Sequence, residues 1–157
     1  MSHREIIERS WQAPIALIWE LFTTKPGIES WFGPKGFDAR VDRIELRQGG
    51  AFDFTMMARD AEMIARFEAM GRPSSWSNTA VFTQVEAPCL LVYESEVPMG
   101  QGTTTFVHRF ELREDGDTVH LRLTLEAGSA EAMGGAAMGW RSSLVRFDER
   151  VSEETAT

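Results

Sequence analysis

Apolar and polar positions change period several times along the chain, and each change marks an element. "REIIERSW" alternates, with Ile7 and Arg9 on one side and Ile6, Glu8 and Ser10 on the other, which predicts a strand. "APIALIWELFTTK" moves to helical spacing. Pro14 suits a first turn, and Ile15, Ile18, Trp19 and Phe22 form one apolar stripe. A second short helix is predicted from Lys25 to Trp31, weakened by Gly27, and then a strand near Phe37 to Leu46. In "GGAFDFTMM", Phe52, Phe54 and Met56 alternate with Asp53 and Thr55, the pattern of a half-buried strand. From Ala58 to Met70 the spacing is helical again, and Gly71 and Pro73 end the run.

Strands resume at "NTAVFTQV" and "CLLVYESEV". Thr104, Phe106, His108, Phe110 and Leu112 then share one face. Asp115-Gly116 supplies a hairpin turn, and Val119, Leu121, Leu123 and Leu125 face inward on the return. Met133, Ala137, Trp140, Leu144, Phe147 and Val151 follow at alternating steps of four and three, so one long amphipathic helix is predicted from about Ala130 to Ser152. The order is strand, two helices, consecutive strands joined mostly as hairpins, and a terminal helix. That order predicts an α+β fold with an antiparallel sheet, one face covered by helix, and argues against alternating βαβ units.

Composition narrows the setting. A length of 157 residues fits a single domain over 1–157. The lone cysteine, Cys89, excludes an internal disulfide and a thiolate-built zinc site. An excess of 24 acidic over 16 basic residues gives a net charge of −8, which repels phosphate backbones and argues against nucleic-acid binding. No apolar run reaches the roughly 18 residues of a membrane span. The first residues are charged rather than signal-like, so no membrane association and a cytoplasmic setting are expected.

Most reactive chemistries find no support in the pattern. His3, His108 and His120 lie far apart with different facings, so no metal site is expected, and no cofactor either. "MGRPSSW" and "EAMGGAAMG" lack the lysine and context of a phosphate loop, and Ser142 and Ser143 lack a nucleophile elbow. Cys89 has no evident activating base and is expected to be a packing thiol. His108 stands out as an imidazole in an inward-facing run. Buried without partners it would cost about 1–3 kcal/mol. Two readings remain open: it bonds a neighbouring hydroxyl or water, or it contacts a ligand, as an acid/base near neutral pH if a reaction occurs. Tyr93 joins it if its strand shares the register, which Leu91 and Val92 leave undecided.

"APIALIWELFTTKPGIESWFGP", "GGAFDF", "VEAPCLLVYE" and "MGWRSSL", in that order, resemble the bacterial proteins named after the activator of the heat-shock-protein-ninety ATPase. These belong to the helix-grip fold of START-like (SRPBCC) and birch-pollen-allergen-like proteins. The resemblance implies a curved sheet of about six to seven strands around the long C-terminal helix, with incompletely filled space between them. One departure is the insertion at about 58–76, helical in period, where many members turn tightly.

Placed on that fold, Trp31, Phe32 and Phe37 are expected at the rim of the cavity. Phe52, Phe54, Met56, Tyr93, Phe106, His108, Phe110, Met133 and Trp140 are expected to line it, and Met63 and Phe67 of the insertion to act as a lid. Ordinary core packing is the plain alternative for most of these side chains. Gly139, beside Trp140, is expected to let a neighbouring element approach closely. The implied function is binding of a small, mostly apolar molecule. The alternatives are an enzyme of the cyclase, hydrolase or isomerase kind with His108 as acid/base, or a module that docks on a chaperone. Exposed edge strands leave a homodimer open.

Overall fold

The computed structural model describes residues 3–98 and 102–156. In chain order the elements are β1 (His3–Gln12), α1 (Ile15–Thr23), α2 (Lys25–Glu29), β2 (Phe37–Ile44), β3 (Ala51–Ala58), α3 (Ala61–Ala69), β4 (Ser75–Glu86), β5 (Leu90–Pro98), β6 (Thr103–Asp115), β7 (Thr118–Ala127) and α4 (Ala130–Thr155). The strands form one seven-stranded sheet in the order β1-β7-β6-β5-β4-β3-β2, with every neighbouring pair antiparallel. This curled sheet with its long terminal helix is the helix-grip architecture.

Alternation sets what the sheet presents to α4. Phe110 pairs with Leu123 and His108 with Leu125 across β6 and β7, so the concave face carries large apolar side chains at every second position. Val119, Leu121, Leu123 and Leu125 are fully buried there, against Leu144 and Phe147 of α4. Each such side chain contributes about 1.5–3 kcal/mol through loss of contact with water. Trp11 of β1 donates its indole N–H to Asp148 of α4 at 2.7 Å, which fixes the helix against that edge. α4 packs on β1 and β7, at one side of the curl. The strands toward β3 are therefore free to bend away from it.

Capping residues start the helices. Ser129 accepts from the Ala132 N–H at α4, Asp60 from Met63 at α3, and Thr24 from Gly27 at α2. The second helix is shorter than its pattern predicts, ending at Glu29, because the chain must turn into the Ser30–Phe37 loop. Gly33 and Gly36 there adopt φ of +114° and +93°, values open to glycine at little cost, so "WFGPKGF" is a shaped loop rather than an extended helix. Cys89 is exposed, not a packing thiol, because it lies in the turn between β4 and β5.

Candidate functional site: a cavity between sheet and helix

Between the β3–β6 part of the sheet and α4 lies a cavity of about 230 Å³. Its sheet wall is built by register. Phe54 pairs with Asn78, Met56 with Trp76, Ala80 with Ser95, Ser95 with Phe106, and Tyr93 with His108, so all of these point to the same side. Ala136, Gly139, Trp140 and Ser143 close it from α4, and Phe32 and Pro34 from the loop after α2. Among the described residues, no Asp, Glu, Lys or Arg lines it.

The loop is fastened to α4 at two points one turn apart. The Lys35 N–H donates to the Ser142 hydroxyl at 2.8 Å. The Arg146 guanidinium donates to the carbonyls of Gly33 at 2.9 Å and Phe37 at 2.6 Å, and its other terminal nitrogen lies 3.5 Å from Asp38. Those carbonyls are left unpaired by the loop's irregular backbone, so one planar cation satisfies what secondary structure cannot.

His108 stacks on Tyr93 (ring centroids 4.5 Å apart) and on Phe106 (4.8 Å), and meets Trp140 of α4 at 5.7 Å in a tilted contact. It is half-buried, and it borders the cavity. Its Nδ1 is sealed from solvent without a hydrogen-bond partner. Burial pushes its pKa down to about 3, opposed only weakly by the Tyr93 backbone carbonyl nearby, so the imidazole is neutral at pH 7. Burial alone pushes the Tyr93 phenol up, so it too stays uncharged.

The residues singled out from sequence divide into two groups. Phe32, Phe54, Met56, Tyr93, Phe106, His108 and Trp140 come together around the cavity. Trp31 lies in the core rather than at the rim. It is 2% exposed, donates its indole N–H to the Leu21 carbonyl at 2.8 Å, and meets Phe22 and Phe147 edge-on. Phe52, Phe110 and Met133 are buried in the core beside the cavity, not on its wall. Phe37 and Phe67 cluster with Trp76, which itself lines the cavity, and Met63 rests on Gly36. α3 therefore packs at the Trp76 side of the cavity, adds no lining residue, and has no buried residue of its own.

Gly139 also departs from expectation. A Cβ built there meets nothing within 4 Å, and the residue borders the cavity, so its missing side chain is cavity space rather than a close approach. Asn78 and Ser95 join the wall without having been expected there. Each occupies an inward position in an otherwise apolar alternation, a signal that emerges only once the register is known.

The architecture and this placement of the cavity define a START-like helix-grip protein. The chain belongs to the family described as activator of Hsp90 ATPase homolog 1-like protein, which it matches over residues 12–152. Among solved structures it is similar to a protein from Chromobacterium violaceum, with a TM-score of 0.77 and 15% identity, covering 94% of this chain and 96% of that one. A protein from Arthrobacter aurescens gives 0.78 and 19%, over 96% and 86% of the two chains. The AHSA1 protein from Silicibacter pomeroyi gives 0.73 and 16%, over 97% and 99%. These likenesses establish the fold. No curated protein matches the chain. No helix among the described residues is long and apolar enough to cross a membrane.

Proposed function

We propose that the protein binds one small, largely apolar molecule between α4 and the β3–β6 wall. The observation that carries this reading is an aromatic-lined space that the fold leaves unfilled, with His108, Tyr93, Asn78 and Ser95 grouped along one side. Small-molecule sites combine these features, an apolar lining with a few convergent polar groups. At about 230 Å³ the space is small for the class. An apolar cavity of roughly 150 Å³ accepts benzene, so a substituted ring or two fused rings fits the volume here.

The state of His108 favours binding over catalysis. A general acid or base works best with a pKa near the operating pH, whereas this imidazole is held neutral down to about pH 3. It is therefore suited to hydrogen bonding and poorly suited to moving protons at neutrality.

Native mass spectrometry of the purified protein, before and after incubation with an apolar small-molecule library, tests the proposal. One-to-one adducts that disappear in Gly139→Leu, whose side chain would occupy the cavity, are expected. No adducts at all, or adducts indifferent to that substitution, would overturn it.

A further inference from the structure

The lining specifies more than apolarity, and the chemical class it selects rests on the proposed binding function. Charge is excluded first. With no Asp, Glu, Lys or Arg on the walls and with His108 and Tyr93 neutral, a buried ionic group would meet no counter-ion. Stripping an ion of water without such a partner costs several kcal/mol.

The polar groups differ in what they can offer. Asn78, Ser95 and the Tyr93 hydroxyl can each donate or accept by turning, so they fit many partners. The His108 ring is different, because its tautomer is set by its surroundings. Nδ1 is shut away from solvent, and the polar group near the ring is the Tyr93 backbone carbonyl. That carbonyl lies outside full hydrogen-bond geometry, yet it can only accept. A carbonyl favours a proton on whichever ring nitrogen it meets, and we take that nitrogen to be Nδ1, the one turned into the protein. The proton is then held on Nδ1. Nε2 is not among the sealed atoms and has no hydrogen-bond partner among the described residues, and the ring borders the cavity. Its lone pair is thus the fixed acceptor of the site.

Shape completes the description. Phe32, Tyr93, Phe106 and Trp140 give the space aromatic walls, which suit an aromatic ring. We infer that the molecule held here is an uncharged aromatic hydrogen-bond donor, a phenol or an N–H heterocycle, whose O–H or N–H donates to Nε2 of His108.

The test is an NMR titration of the full chain at pH 7.5 with four probes of similar size: phenol, toluene, benzoate and benzylammonium. Phenol is expected to shift the resonances of Asn78, Tyr93, Ser95 and Trp140 saturably. It should bind roughly three- to tenfold more tightly than toluene, the worth of one net hydrogen bond, and at least tenfold more tightly than either ion. His108→Phe should erase the preference for phenol while keeping toluene binding. Independently of any variant, the histidine ¹⁵N spectrum of the unliganded protein should show the proton of His108 on Nδ1.

Toluene binding as well as phenol, an ion binding as well as phenol, or a proton on Nε2 would each overturn this inference and leave the binding reading standing. If none of the four probes moves those resonances, the binding reading fails and this inference fails with it.

Discussion

Tyr93 and His108 face each other directly across β5 and β6, with ring centroids 4.5 Å apart and ring planes 20° from parallel. The pairing packs a half-buried imidazole into an aromatic row with its Nδ1 sealed, and stability must register it. The pKa of His108 is pushed from 6.5 down to about 3 in the folded chain. Below pH 6.5 the unfolded chain therefore takes up a proton that the folded chain refuses. Its contribution is complete above pH 6.5 and is lost progressively as pH falls toward 3. Between pH 7.5 and 5.5 this amounts to about 1 kcal/mol. Urea unfolding at both values should show the wild type losing about that much more than His108→Phe; equal losses would mean that the ring is solvated.

Gly139 is a helix residue whose side-chain direction is empty. Replacing glycine by alanine inside a helix gains up to about 1 kcal/mol, and here nothing stands in the way. Gly139→Ala should therefore raise the melting temperature while narrowing the cavity, and Gly139→Leu should lower binding of small aromatic probes at least tenfold. A destabilised Gly139→Ala would show that the backbone there needs glycine for another reason.

Arg146 carries the loop that frames the cavity, through the Gly33 and Phe37 carbonyls. Removing it leaves the Gly33 carbonyl without a donor and the Phe37 carbonyl with only a long bond from Arg59, at about 1–3 kcal/mol. Arg146→Met, which keeps the apolar stem, should lower stability by that order and speed amide exchange across residues 32–38. Arg146→Lys should rescue little, because a single ammonium cannot reproduce the planar fork. Full rescue by lysine would contradict the assigned geometry.

Period and order make the architecture legible in the sequence. The α4 stripe from Met133 to Val151 and the β7 alternation from Val119 to Leu125 are buried as their spacing requires. The site is half legible. Phe106, His108 and Trp140 follow from facing alone, but Tyr93 needs the β5–β6 register, which no local pattern encodes. Trp31 misleads because an aromatic ring flanked by glycine and proline looks like a rim residue. Its indole N–H instead satisfies the Leu21 carbonyl at the end of α1, a partner ten positions away that spacing could not single out. Gly139 misleads for the opposite reason, since a missing side chain marks both close contact and empty space.

The insertion holding α3 shows the same limit. Met63 and Phe67 recur at helical spacing and do face the protein, but they meet Gly36, Phe37 and the cavity-lining Trp76 without lining the cavity themselves. Apolar periodicity identifies which face of a helix is covered, and leaves open what covers it.

The central claim is that apolar space remains between the grip and its helix. Xenon enters such space and avoids close-packed interiors. Diffraction from crystals pressurised with xenon should place an atom among Phe32, Phe106 and Trp140, and the site should vanish in Gly139→Leu. An interior that takes up no xenon there, or a site unaffected by that substitution, would contradict the account.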